Sequence, residues 1–177
     1  MSSNGLIHVY YGDGKGKTTA AFGLAIRAAG CGKNVVIVQF LKNWTCGEHN
    51  SLPKIPNVKL FRGKAAGGKF VHEMSDEEKQ ETKASQDESL KKALDLIDAE
   101  QCDVLILDEV IDAHRLGVLD TSVLEELIYN KPALLELVIT GHNPDERLLN
   151  HADYVTEMKK CKHPYDEGIH ARQGIEY

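Results

Sequence analysis

The chain has 177 residues, enough for one domain whose core needs neither disulfides nor metal to hold it, and no apolar run approaches the length of a bilayer span. With 42% hydrophobic and 27% charged residues it has the balance of an ordinary globular protein, and a net charge of −6 argues against a general nucleic-acid binder. Four scattered cysteines without a C-x-x-C pair read as reduced thiols, and Met1–Gly5 lacks the basic lead-in of a signal peptide, so a cytoplasmic protein of one domain, 1–177, is expected.

Residues Leu6 to Gly30 predict a buried strand, a phosphate loop and the helix that starts from it. Gly12, Gly14 and Gly16 free the backbone to curl around an anion with its N–H groups inward, and Lys17 adds a mobile cation. Thr18 and Thr19 open the helix, where a hydroxyl can ligate Mg²⁺ and unpaired N–H groups face the phosphates. The pattern G-x-x-x-x-G-K-[ST] wants glycine at position 11, but Tyr11 stands there, so the loop is one residue short.

Gly30 to Asn34 is a stop, and Val35–Leu41 predicts a central parallel strand. Lys42 to Pro56 reads as a long loop; its Trp44 is either a plug over the sheet edge or a ligand contact. The cations between Lys54 and Lys69, with no acid among them, are either a local basic patch or a solvated loop. Val58–Phe61 alternates like a short strand, and Arg62 to His72, with three glycines, is expected to be flexible when empty. Ser75-Asp76-Glu77-Glu78 is a capping box for a helix whose second half, through Leu90, Ala93, Leu94 and Ile97, is the part expected to pack on the sheet.

Asp103–Glu109 holds four apolar residues ending in two carboxylates, a strand whose acids Asp108 and Glu109 belong beside a phosphate loop holding Mg²⁺. Ser122 to Glu125 predicts a capped helix through Ile128. Leu134–Thr140 predicts a strand, Asn143-Pro144 the start of a short helix, and Ala152–Met158 a last strand. Strands alternating with helices predict an α/β fold, a doubly wound and mostly parallel sheet with helices on both faces. The tail 159–177, dense in polar, aromatic and glycine residues, is either a disordered terminus or a ligand-facing strap.

These motifs closely resemble the ATP:corrinoid adenosyltransferases of the phosphate-loop type. The shared residues are G-D-G-K-G-K-T-T-A-A-F-G at Gly12 to Gly23, R-A-A-G-C-G-K at Arg27 to Lys33, V-Q-F-L-K at Val38 to Lys42, L-D-E at Leu107 to Glu109 and I-T-G-H at Ile139 to His142. The closing K-H-P-Y-D-E-G-I-H-A-R-Q-G-I-E-Y, Lys162 to Tyr177, is the most specific of them. The resemblance implies a P-loop NTPase (RecA-like) architecture and transfer of the 5′-deoxyadenosyl group of ATP to the Co(I) centre of a corrinoid, with release of triphosphate, in adenosylcobalamin biosynthesis or salvage. It implies Mg²⁺ or Mn²⁺ as cofactor, a homodimer, a flavodoxin-like reductase as electron donor, and ATP bound in a reversed sense along the short loop.

By the same resemblance, Gly12, Asp13, Gly14, Lys15, Gly16, Lys17, Thr18 and Thr19 hold the triphosphate, with Lys17, Thr18 and Glu109 as catalytic groups and Thr18, Asp108 and Glu109 on the metal. Arg27 either contacts the nucleoside end or is a solvated helix arginine. Corrinoid contacts are expected from Lys42 to Glu48, Ala65 to Glu73 and the tail. The resemblance also implies that Co(II) is made easier to reduce by displacing its lower axial ligand with the aromatic side chains of a Phe-x-Trp segment, where this chain has Gly68-Lys69-Phe70-Val71-His72 without tryptophan. The rival readings are a phosphate-loop ATPase or kinase, with Glu109 polarising water, and a nucleotide-dependent regulatory module; Asn130-Lys131-Pro132-Ala133 matches only the first half of the guanine motif N-K-x-D.

Overall fold

The computed structural model describes residues 4–42 and 44–177, so Met1–Ser3 of the N-terminal reading and Asn43 of the loop after the second strand lie outside it. Six strands form one parallel sheet: β1 (Ile7–Tyr11), β2 (Val35–Gln39), β3 (Val58–Arg62), β4 (Val104–Asp108), β5 (Glu136–Gly141) and β6 (Tyr154–Glu157), in the order β3-β2-β4-β5-β1-β6. Every pair is parallel. Each connection must therefore cross a face of the sheet, which is why helices alternate with strands.

The strands sort their side chains with period two. Val35, Ile37, Val104, Ile106 and Val138 pack under α1 (Lys17–Gly30) with Ala21, Phe22, Ala25, Ala28 and Ala29. Val36, Val38, Leu105, Leu107, Leu137 and Ile139 face the other way. That second face is covered by α3 (Asp76–Asp98), α4 (Val110–Arg115), α5 (Thr121–Tyr129) and α6 (Glu146–His151). Buried on both faces, β2 and β4 read as continuous apolar runs. The sheet is doubly wound as expected, and β5 lies between the phosphate-loop strand β1 and the acid-bearing strand β4, as in a RecA-like P-loop fold.

Several local expectations are corrected. The stretch after β2 is not all loop, because Glu48–Ser51 forms a one-turn helix, α2, followed by a 3₁₀ turn at Leu52–Lys54. Trp44 is 49% exposed, and its backbone carbonyl accepts from Arg62 Nη2 of the edge strand β3 (2.9 Å). The first half of α3 packs as firmly as the second through polar residues: Thr82 and Gln86 are fully buried, Thr82 Oγ1 accepts from Ala66 N (2.9 Å), and Gln86 lies against Gly63. A polar residue is invisible to an apolar-stripe reading. The short helix α4 follows Glu109 directly and has no flanking signal in the sequence. Near α6 the cap is Asp145, whose carboxylate accepts from Leu148 N (2.7 Å), two residues later than Asn143 would place it.

The cap of α5 is Asp120, not Ser122: Asp120 Oδ1 accepts from Ser122 N (2.9 Å) and Val123 N (3.2 Å). Asp120→Ala should therefore lower the melting temperature by about 2–4 °C and Ser122→Ala by less than about 1 °C. Thermal unfolding of the two variants checks this, and the reverse order would restore Ser122 as the cap. Among the described residues no helix is long and apolar enough to cross a membrane.

Candidate active site

Tyr11 remains in β1, paired with Gly141 and Glu157, and the chain leaves the sheet at Gly12 with φ of +112°. The loop is short because the residue that would be its first glycine is still strand. Gly12 and Gly14 then press on the end of β6. A Cβ on either would stand 2.5 or 2.6 Å from Met158 O, and Gly14 N donates to that carbonyl at 2.6 Å. Gly16, φ +117°, turns the chain into α1. Lys17 folds over the loop and donates from Nζ to Gly12 O (2.6 Å) and Gly14 O (3.0 Å). Burial pulls its pKa down, against the nearby carboxylates of Asp112, Glu109, Asp13 and Asp108.

Across the carboxyl ends of the strands runs a buried polar row. Gln39 of β2 is in register with Asp108 of β4, and Thr140 of β5 follows one rung beyond the Leu107–Ile139 pair. All three are at most 1% exposed. Asp108 Oδ1 accepts from Thr18 Oγ1 (2.8 Å) and Thr140 Oγ1 (2.8 Å); Oδ2 accepts from Gln39 Nε2 (3.0 Å) and lies 3.5 Å from Lys42 Nζ. Lys42 Nζ is also 3.7 Å from Glu109 Oε1. Burial alone would lower the Lys42 pKa, but the two carboxylates outweigh it and raise the pKa. Glu109 takes the left-handed conformation, φ +64°, and donates from its N–H to Thr140 Oγ1 (2.9 Å). Burial, reinforced by the Asp108 charge, pushes its carboxyl pKa up to about 7.

Beside the row, Asp112 Oδ2 accepts from His142 N (3.0 Å) and lies 3.0 Å from His142 Nδ1. Burial would raise the Asp112 pKa, but the bonds and charge of His142 prevail and hold it low.

These groups surround a cavity of about 590 Å³. One wall is Gly14 to Thr19 with Phe22 and Ile26, another is the Lys42 and Cys46–Leu52 side, and Glu109, Thr140 and His142 form the floor. The fourth wall comes from the tail, through His163 and Gly174 to Tyr177. Glu176 anchors it: Oε1 is 3.5 Å from Lys15 Nζ and accepts from Arg172 Nη2 (3.0 Å). Arg172 holds the Glu176 pKa at about 2.

The structure thus brings Gly14, Lys15, Gly16, Lys17, Thr18, Thr19 and Glu109 to one cavity, with Asp108 sealed beneath it and Gly12 behind Lys17. Asp13 instead turns to the tail, its Oδ1 accepting from Lys160 N (3.0 Å), a bond that lowers its pKa. Arg27 lies outside the cavity; it is exposed and lines a separate groove with Asn4, Leu24 and Glu136. On the segment expected to meet a corrinoid, Phe70 is 64% exposed and stacks on His72, centroids 5.8 Å apart and planes 13° from parallel. Gln39, Thr140 and His142 lie inside the shared stretches V-Q-F-L-K and I-T-G-H but were given no role from the sequence. The available signal is a polar residue closing or following an apolar strand run.

Thr18, Asp108 and Glu109 are hard oxygen donors of the kind that suit Mg²⁺, which takes one or two carboxylates and fills its remaining positions with phosphate and water. Among the described residues there is no group of three or more His, Cys, Asp or Glu that could hold a metal ion.

The model of the family described as ATP:corrinoid adenosyltransferase BtuR/CobO/CobP matches residues 3–177. A corrinoid adenosyltransferase of Sinorhizobium sp is 37% identical over 176 residues, 98% of this chain and 80% of that protein. Corrinoid adenosyltransferases of Escherichia coli and Salmonella typhimurium are 35% and 34% identical over 178 residues, 100% of this chain and 88% of each relative.

Proposed function

The chain belongs to the ATP:corrinoid adenosyltransferase family, and from that membership we propose that it transfers the 5′-deoxyadenosyl group of ATP to the Co(I) centre of a corrinoid and releases inorganic triphosphate. The observation that carries the reading is the cavity in which the Gly14–Thr19 loop faces the tail residues Gly174–Tyr177 over the Glu109 floor. A hydrolase needs a positioned water, whereas reduced cobalt is its own nucleophile. The cobalt electron pair forms the bond to C5′, the C5′–oxygen bond breaks onto the triphosphate, and cobalt passes from Co(I) to Co(III).

What remains for the protein is to orient C5′ and to stabilise charge on the leaving group. Lys15, Lys17 and the loop N–H groups supply that stabilisation, and Lys42 holds the two carboxylates in place. Thr18, Asp108 and Glu109 would hold Mg²⁺ or Mn²⁺, which when bound offsets triphosphate charge. Asp13 acts through the tail. The loops 42–48 and 65–73 and the tail receive the corrinoid, where the exposed Phe70–His72 stack offers an aromatic face in place of Phe-x-Trp. The same reading takes the chain as one cytoplasmic domain, acting as a homodimer in adenosylcobalamin biosynthesis or salvage with a flavodoxin-like reductase as electron donor.

The test is incubation with ATP, Mg²⁺ and chemically reduced cobalamin, following the corrinoid spectrum and the phosphate product. A light-sensitive carbon–cobalt product with stoichiometric triphosphate is expected. Accumulation of ADP without an alkylated corrinoid would overturn the reading in favour of an ATPase.

A further inference from the structure

Beneath the Cys46–Leu52 wall, a hydrogen-bonded chain runs from the cavity lip to Asp108. Cys46 N donates to His49 Nδ1 (3.1 Å), His49 Nε2 lies 2.8 Å from Gln39 Oε1, and Gln39 Nε2 donates to Asp108 Oδ2 (3.0 Å). Donor and acceptor parity fixes every member. A carboxylate only accepts, so Gln39 must turn its amide NH₂ toward Asp108 and its oxygen toward His49. His49 must then donate from Nε2, and its Nδ1 must be bare, because a backbone N–H points at it. Only the neutral Nε2–H tautomer satisfies both ends. Burial, helped by the Arg62 charge, lowers the His49 pKa in keeping with a neutral ring.

Gln39 is 1% exposed and Asp108 0%, so the Gln39 oxygen depends on His49 for its partner. Without the His49 donor that oxygen is left unpaired and the amide loses the anchor that holds its NH₂ at Asp108 Oδ2, which loosens the bond that sets the carboxylate toward Thr18. Nothing in the phosphate-loop chemistry requires a histidine at this place; the signal is geometric.

We propose that His49 is a positioning residue which, through Gln39, fixes the orientation of Asp108 toward Thr18 and so ties the Cys46–Leu52 wall to the divalent-cation and triphosphate site. This rests on the reading of Thr18, Asp108 and Glu109 as cation ligands. The alternative is a local role, in which His49 merely caps the turn at Cys46 through Nδ1.

Two amide substitutions separate the roles, because asparagine reproduces the Nδ1 position and glutamine the Nε2 position. His49→Asn keeps the partner of Cys46 N and cuts the chain to Gln39. His49→Gln keeps the donor to Gln39 and loses the cap. The measurement is binding of Mn²⁺ in the presence of ATP, without corrinoid, read by the electron paramagnetic resonance of free Mn²⁺. His49→Asn and His49→Ala are expected to weaken Mn²⁺ binding about tenfold, the scale on which partners of metal ligands act, while His49→Gln stays within about twofold of the unsubstituted chain. In turnover, His49→Asn should raise the half-saturating Mg²⁺ concentration and leave the KM for the corrinoid unchanged.

Weak binding by His49→Gln with normal binding by His49→Asn would overturn the proposal in favour of the local cap, as would normal binding by all three variants. Should His49→Ala fail to fold by thermal melting, the Asn and Gln pair still decides. Failure of the unsubstituted chain to bind Mn²⁺ with ATP would overturn both the proposal and the cation-site reading, whereas normal binding there with silent variants removes only the proposal.

Discussion

Lys17→Ala is expected to lower corrinoid adenosylation by about 10²–10³-fold, the usual cost of removing one preorganised group that stabilises charge on a leaving oxygen. The lysine is a desolvated cation held against two loop carbonyls, Gly12 O and Gly14 O, so its charge sits where the triphosphate would lie before any substrate arrives. Its removal takes away both the charge and the brace across the loop. Lys17→Arg should not restore activity, because the longer, planar guanidinium does not fit where one compact ammonium lies between the two carbonyls. Coupled measurement of the corrinoid spectrum and triphosphate release checks both variants; near-normal turnover in Lys17→Ala would remove this lysine from the chemistry.

The second large effect concerns stability as well as turnover. Asp108 is completely buried and accepts from Thr18, Thr140 and Gln39 while balancing Lys42. Asp108→Ala leaves three donors without their acceptor and the buried Lys42 ammonium with Glu109 as its one remaining carboxylate, and should cost about 3–5 kcal/mol of unfolding free energy. Asp108→Asn keeps the volume and one acceptor, so it should cost less, about 1–3 kcal/mol, while losing the cation-dependent part of the activity. Urea unfolding followed by circular dichroism gives the two costs. Equal stability of Asp108→Ala and the unsubstituted chain would mean that the polar row contributes little to the fold.

The sheet was legible because its strands are buried on both faces: Val35–Val38 and Val104–Leu107 are apolar at every position, and Gly30 and Gly32 mark the turn into the first of them. The loop and the Asp108-Glu109 pair were legible because their residue types are tied to one chemistry. What escaped was made by tertiary neighbours. Gln39 and Thr140 are ordinary polar residues until the parallel register sets them beside Asp108. Thr82 and Gln86 look solvent-facing until Gly63 and Ala66 fold over them. The cap of α5 was misplaced because Ser122 and Asp120 both suit the position, and only the path of the chain, where Asp120 N donates to Asp87 Oδ1 (2.7 Å), decides between them.

The contact of Gly12 and Gly14 with Met158 has a temporal consequence. The phosphate loop is translated before its partners: one of its amides is bonded to Met158, its Asp13 is bonded to Lys160, 147 residues further on, and its Lys15 is paired with Glu176. A nascent chain therefore carries the loop long before it can finish the cavity, and such distant contacts form late in folding. A chain clipped before Met158 would keep the loop's glycines and lysines and lose the Gly174–Tyr177 wall of the cavity.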